Sequence, residues 1–208
     1  MTEQEAVNWV GARYDDDVVN RLQGFVSLVS GESARQNLVA RSTIDRIWLR
    51  HIVDSLQLHP LGTGNKWLDI GSGAGFPGMA LAIAHPDITY LLIEPRRKRA
   101  DFLIIVATSL ALKNVKVICA RIEKIAEPMT TITARAVAAI DHVFRDSIRC
   151  ADNHTMWVLP KGRSAEEEVA HARQRWHGVF HVEQSITDPT SQIVIASKVR
   201  LHERHRDR

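Results

Sequence analysis

The stretch Trp67-Leu68-Asp69-Ile70-Gly71-Ser72-Gly73-Ala74-Gly75-Phe76-Pro77-Gly78 puts four glycines into eight positions between an apolar run and a helical pattern. Few folds accept such a stretch. Glycine takes backbone conformations that a Cβ obstructs, and it lets main-chain N–H groups come close to a ligand. A strand, a glycine-rich turn and a helix N-terminus in succession make a candidate site for a nucleotide or nucleotide-like cofactor.

The flanking sequence alternates between two periods. Val7, Val10, Tyr14, Val18, Leu22, Phe25 and Val29 recur at helical spacing and predict one long or two short amphipathic helices from Gln4 to Val29, ended by Gly31. Ser42 with Asp45 reads as a capping box before a stripe of Ile44, Ile47, Trp48, Ile52 and Leu56, with His51 and Asp54 sharing one helix face. Strands are expected at Trp67 to Ile70, Ile88 to Ile93, Val115 to Ala120, Ile132 to Val137 and Met156 to Leu159. Helices are expected from Arg97 to Leu112, from Asp141 to Cys150, and from a Ser164/Glu167 capping box to about Trp176. Val179 to Val182 and Gln192 to Val199, joined across Asp188-Pro189, predict an antiparallel pair. Pro77 fits the first turn of the helix after the glycines. The pattern describes an α/β fold: a doubly wound, mostly parallel sheet with an antiparallel C-terminal hairpin and an N-terminal helical extension. Residues 1–60 form the extension and 61–208 the main domain. The charged end from Arg200 to Arg208 is expected to fray.

Composition narrows the setting. The 208 residues suit one domain with an appendage, and no apolar run reaches the roughly 18 residues of a membrane span. The acidic start Met-Thr-Glu-Gln-Glu-Ala lacks the basic flank and apolar stretch of a signal peptide, so a cytoplasmic location without membrane attachment is expected. Cys119 and Cys150 stand far apart, without neighbours at zinc-ligand spacing; both are expected to be reduced core residues, and no metal site is expected. The net charge of +3 permits an anionic partner without announcing one.

The loop has two readings. Gly73-Ala-Gly75-Phe-Pro-Gly78 satisfies G-x-G-x-x-G and Glu94 follows at a strand end, as in a nicotinamide-dependent oxidoreductase. That register leaves Asp69 inside the strand without a partner. The alternative, Asp69-x-Gly71-x-Gly73-x-Gly75, resembles motif I of the class I methyltransferases, whose Rossmann-like sheet binds S-adenosylmethionine. In that register Glu94 would accept hydrogen bonds from the ribose hydroxyls. A cofactor-binding protein without catalysis is a third reading.

A longer set of motifs follows in order: Arg50-His51-Ile52-Val53-Asp54-Ser55-Leu56, Leu68 to Gly78 with its Phe-Pro-Gly ending, Lys98-Arg99 with Phe102-Leu103, Arg121-Ile122-Glu123, Thr133-Ala-Arg135-Ala136, and Leu159-Pro160-Lys161-Gly162. Together, from roughly Asn37 to the end, they resemble the bacterial ribosomal RNA small-subunit methyltransferase G family. The resemblance implies methyl transfer from S-adenosylmethionine to N7 of a guanosine in the 530 loop of 16S rRNA, with the rRNA or the small subunit as partner; a monomer is expected, although the sequence does not determine the oligomeric state. It places cofactor contacts on Gly71, Phe76, Ile122, Glu123 and Arg135; Asp69, Gly73 and Glu94 join them by the general methyltransferase pattern. Two positions depart from it: Thr130 replaces an acid before the fourth strand, and Pro95 follows Glu94 where a small polar residue is usual.

The acceptor implied needs little apparatus. A cysteine nucleophile for a pyrimidine carbon and an Asp/Asn-Pro-Pro-aromatic sequence for an exocyclic amine are both missing, the latter's place being held by Ala134-Arg135-Ala136. Guanine N7 has a lone pair and no proton to lose, so no general base is expected and Arg135 is read as a positioning residue. Arg96 and Arg97 in the run Arg96-Arg97-Lys98-Arg99, and Lys161 and Arg163 after the fifth strand, are the candidate RNA contacts. Trp67 and Trp157 are expected in the core.

Overall fold

The computed structural model describes residues 1–202. Two helices lead, α1 (Glu3–Gly11) and α2 (Asp16–Gln36), then the short α3 (Arg41–Ile44) and a π-helix, Trp48–Val53, that runs into α4 (Asp54–Leu56). The strands are β1 (Lys66–Ile70), β2 (Thr89–Ile93), β3 (Val115–Ile118), β4 (Thr131–Ala134), β5 (Met156–Lys161), β6 (Trp176–Gln184) and β7 (Gln192–Leu201). Between them run α5 (Gly78–Ala84), α6 (Arg97–Ser109), α7 (Ile140–Ser147) and α8 (Ala165–Ala172). The sheet order is β3-β2-β1-β4-β5-β7-β6, parallel from β3 to β5, with β7 antiparallel to both its neighbours. This is the doubly wound sheet with a C-terminal hairpin expected from the alternating periods. The order reverses between β1 and β4, where such sheets open a crevice at the carboxyl ends of their strands.

The period of two in the strands divides the core. Trp67, Tyr90 and Leu92 face the layer of α1, α2, the π-helix, α5 and α6, whereas Leu68, Ile70, Leu91 and Ile93 face α7 and α8 with Phe144, Trp157 and Trp176. Trp67 and Trp157 are both fully buried, as their strand positions require. The N-terminal helices are seated by chemistry as well as by apolar contact. The Glu3 carboxylate accepts from Trp48 N and Leu49 N at 2.8 and 2.9 Å, answering N–H groups that the π-helix leaves open at its start.

Local signals misplaced three helix ends and one cysteine. Gly31 does not end α2, which runs to Gln36 and closes at Asn37 in the left-handed region (φ 52°), whose N–H donates to Ser33 O. No Ser42/Asp45 capping box forms: the chain enters α3 at Ala40, whose carbonyl takes the Thr43 hydroxyl. Ser164 donates to the Glu168 carboxylate in place of a box with Glu167. Helix α8 then stops at Ala172, because Trp176 opens β6 with its indole N–H on Asp141 Oδ1 at 2.8 Å. Cys150 is buried, but Cys119 lies exposed past the end of β3. Of the charged end, Arg200 and Leu201 belong to β7 and 203–208 fall outside the described residues.

His59 and His85 stack at 3.5 Å between ring centroids, close to Trp67, and the His85 Nε2 has no partner among the described residues. Burial, with His59 beside it, pushes the His85 imidazole down to about 4. The unfolded chain therefore takes up a proton between about pH 6.5 and 4 that the folded chain refuses, so this residue's contribution to stability falls as pH falls through that window. Because His85 is only partly buried, the effect is discounted to about 1 kcal/mol. Urea unfolding at pH 7 and pH 5 should show the acid loss shrinking by about that amount in His85→Asn. An equal loss in both proteins would refute the assignment.

Candidate active site

The turn after β1 is held from two sides. Gly71 N and Ser72 N both donate to Ile93 O at the end of β2, and Glu94, just beyond, accepts from Gly73 N at 2.9 Å and from Arg96 N at 2.8 Å. Asp69, 1% exposed, accepts from Gly78 N at 3.2 Å and from the Thr133 hydroxyl of β4 at 2.9 Å. Burial pushes its carboxyl up to about 6, against the lowering effect of these donors. The Asp69 left without a partner by the oxidoreductase register is thus bonded to α5 and β4.

The glycines do separate jobs. At Gly73 (φ +55°) a Cβ would meet nothing closer than 3.7 Å, so its backbone lies open to an approaching molecule. At Gly75 (φ +98°) a Cβ would stand 2.8 Å from Met79 and 2.9 Å from Phe25, so this glycine serves packing. Phe76 turns inward at 4% exposure. It stacks on His51 at 4.9 Å and lies under the Arg135 guanidinium, whose carbon is 5.4 Å from the ring centre. Beyond β3, Ile122 is buried in a 3-10 turn, Ile122–Lys124, with Glu123 exposed beside it. The turns bearing Gly71, Gly73, Glu94, Ile122 and Glu123 therefore share the carboxyl edge of β1, β2 and β3.

Arg135 follows β4 with its side chain 19% exposed. Its Nη1 donates to Arg50 O and Asp54 Oδ2, both at 3.3 Å, and its Nη2 meets His51 Nδ1 at 2.9 Å. Asp54 Oδ1 is bound in turn by the Thr187 hydroxyl at 2.7 Å and by Gln57, and Arg50 pairs with Asp188 at 2.8 Å. The β6–β7 turn is thereby fastened to the π-helix and α4. Beside Arg135 opens a cleft of about 510 Å³, walled by 135–139, Pro160 to Gly162, and residues of that turn.

The expected RNA contacts separate. Arg96, Arg97 and Arg163 are exposed, with Arg97 bonded to Asp101 at 2.8 Å. Lys161 lines the cleft, yet its ammonium donates to Ala138 O at 2.7 Å and pairs with Glu168 at 2.9 Å; it braces the wall and is not free to meet a phosphate. Arg50, Thr187 and Asp188 were missed as site residues because their partners lie more than 130 positions away, and Asp188-Pro189 signals only a turn. Among the described residues no group of three or more His, Cys, Asp or Glu is placed to hold a metal ion.

Against this geometry, the family model described as rRNA small subunit methyltransferase G matches residues 18–193, spanning the glycine turn, Arg135 and the cleft. The chain belongs to this family. A ribosomal RNA small subunit methyltransferase G of Rhizorhabdus wittichii is 44% identical over 204 residues, covering 96% of this chain and 94% of that protein. The protein of the same name in Novosphingobium aromaticivorans is 42% identical, covering 94% and 88%. Solved structures share the fold. A SAM-dependent methyltransferase from Aquifex aeolicus superposes with a TM-score of 0.62 at 17% identity, covering 80% of this chain and 97% of its own. Fibrillarin from Aeropyrum pernix, with S-adenosyl-L-methionine natively bound, gives 0.53 at 14% identity, covering 69% and 72%.

Asp69→Ala leaves the buried Gly78 N–H without its acceptor and the Thr133 hydroxyl with the longer bond to Leu68 O at 3.3 Å, and should lower unfolding free energy by about 1–3 kcal/mol. Denaturant unfolding checks this, and an unchanged midpoint would show that the carboxylate does not tie the turn to β4.

Proposed function

We propose that this protein transfers a methyl group from S-adenosylmethionine to N7 of a guanosine in the 530 loop of 16S rRNA, acting on the rRNA or the small ribosomal subunit. The observation that carries the reading is membership of the methyltransferase G family over residues 18–193. It fits a cytoplasmic, monomeric enzyme working without a metal or a membrane; no described helix is long and apolar enough to cross one. Residues 1–60 would form a helical extension seated on the catalytic domain. The oxidoreductase alternative finds no support among the relatives or the structures of like fold.

The residues fit the cofactor. Gly73 presents open backbone, and Glu94, 3% exposed, is fixed at the end of β2 by two main-chain donors, so its remaining lone pairs are pre-aimed for ribose hydroxyls. Gly71, Ile122 and Glu123 would hold the rest of the molecule. Asp69 would act through the shape of the turn, because both its oxygens are engaged within the chain. When bound, the cofactor supplies a methyl on a sulfonium that a lone pair can displace.

The acceptor side follows from the same chemistry. A cleft of about 510 Å³ suits one nucleotide, and it opens beside Arg135 at the end of β4. No residue has to take a proton from N7, so the chain's work is to hold the base in line and exclude water. Asp54 against Arg135 and Asp188 against Arg50 offset two positive charges that would otherwise oppose a guanine becoming cationic. Arg96, Arg97 and Arg163 would meet the RNA backbone.

Calorimetry should show S-adenosylhomocysteine binding and no comparable binding of NAD; the reverse would sink the reading. Mass spectrometry of 16S rRNA from a strain lacking the gene should show loss of the N7-methylguanosine, and its persistence would refute the acceptor assignment. Arg97→Glu should weaken RNA binding and lower the slope of log affinity against log salt by about one, leaving cofactor binding intact. An unchanged slope would exclude Arg97 from the RNA contact.

A further inference from the structure

His51 lies 2.9 Å by Nδ1 from Arg135 Nη2 and 3.0 Å by Nε2 from Thr43 Oγ1. A guanidinium stays protonated and can only donate, so Nδ1 must be the acceptor and cannot carry hydrogen. The ring proton then sits on Nε2 and points at Thr43 Oγ1, while the Thr43 hydroxyl donates onward to Ala40 O at 2.9 Å. Every donor in the chain Arg135, His51, Thr43, Ala40 finds one acceptor, and no other tautomer satisfies it. An imidazolium would set N–H against N–H.

We propose that His51 is a positioning residue for methyl transfer: a neutral imidazole, locked as its Nε2–H tautomer by Thr43, whose Nδ1 lone pair fixes Arg135 at the mouth of the cleft. The inference rests on the methyltransferase reading of that cleft. Arg135 has three anchors, of which the Arg50 carbonyl and the Asp54 carboxylate are both met by Nη1 at 3.3 Å. Among the described residues His51 alone holds Nη2, and at shorter range, so it sets the roll of the guanidinium plane. Its own ring is pinned by the 4.9 Å stack on Phe76, which links the arginine to the glycine turn. The charged groups around it agree: Arg135 and Arg50 disfavour a proton on His51, and burial, the larger effect, acts in the same direction, together holding the imidazole down to about 3.

The test has two independent arms. Two-bond proton–nitrogen correlation on the ¹⁵N-histidine protein at pH 7 should show His51 as the Nε2–H tautomer; an Nδ1–H tautomer or an imidazolium would overturn the proposal whatever the activity. In steady-state methylation of the RNA, His51→Phe keeps the stack but lacks the acceptor. It should lower kcat by about tenfold or more, since small misplacements at a reacting site have effects of that order. S-adenosylhomocysteine affinity should stay within about twofold of wild type. His51→Asn, whose side-chain carbonyl can accept from Arg135, should recover most of kcat. Wild-type kcat in His51→Phe, or no rescue by His51→Asn, would reduce His51 to a packing residue. If the wild-type protein methylated no RNA, the functional reading would fall while the tautomer result still decided the geometry of Arg135.

Discussion

A carboxylate buried inside a sheet destabilises the fold by several kcal/mol unless donors meet it, and Asp69 is met by two from separate parts of the chain. Thr133 ties it to the neighbouring strand across the switch in sheet order, and Gly78 N ties it to the start of α5. A Cβ on residue 78 would come within 2.7 Å of the Asp69 side chain, so the bond demands a glycine there. Between the ends that this carboxylate joins, the turn takes positive φ at Gly71, Gly73 and Gly75. Within it the Gly73 N–H donates to Glu94. Both acids, Asp69 and Glu94, therefore shape the backbone of the turn.

A second knot lies across the sheet edge at Arg135. It draws together the π-helix through Arg50 and His51, α4 through Asp54, the glycine turn through Phe76, and the C-terminal hairpin through Thr187 on Asp54. The N-terminal helices and the last hairpin, at opposite ends of the sequence, thereby become two walls of one cleft. Their charges are arranged in pairs, Arg135 with Asp54, Arg50 with Asp188 and Lys161 with Glu168, which leaves the cleft close to neutral.

Much of this was legible before any coordinates. The apolar runs at Ile88 to Ile93 and Met156 to Leu159 read as strands of a buried parallel sheet, and Trp67 and Trp157 are buried where those strand positions predict. Helix ends were less legible. A capping box is one of several local bonds open to the same few residues: near Ser42 the Thr43 hydroxyl closes on Ala40 O instead, and Ser164 bonds Glu168 in place of Glu167. Lys161 shows the same limit for charge: the sequence places a cation at the carboxyl edge of β5, and only the packing of α8 shows that Glu168 already occupies it. Cys119 fell outside the core because β3 stops at Ile118, two positions before the apolar run ends.

By itself the sequence determined the doubly wound sheet, the glycine turn and the two acids that bracket it, because strand and helix periods and glycine's conformational freedom are properties of short segments. The tertiary structure alone decided what those residues do. That Asp69 binds a helix start and a neighbouring strand, that His51 is an acceptor, and that Asp188 pairs with Arg50 all depend on contacts between residues that chain distance keeps apart and sheet topology brings within 3 Å or a little more. A hydrogen bond requires a partner in space, and spacing along the chain does not specify one.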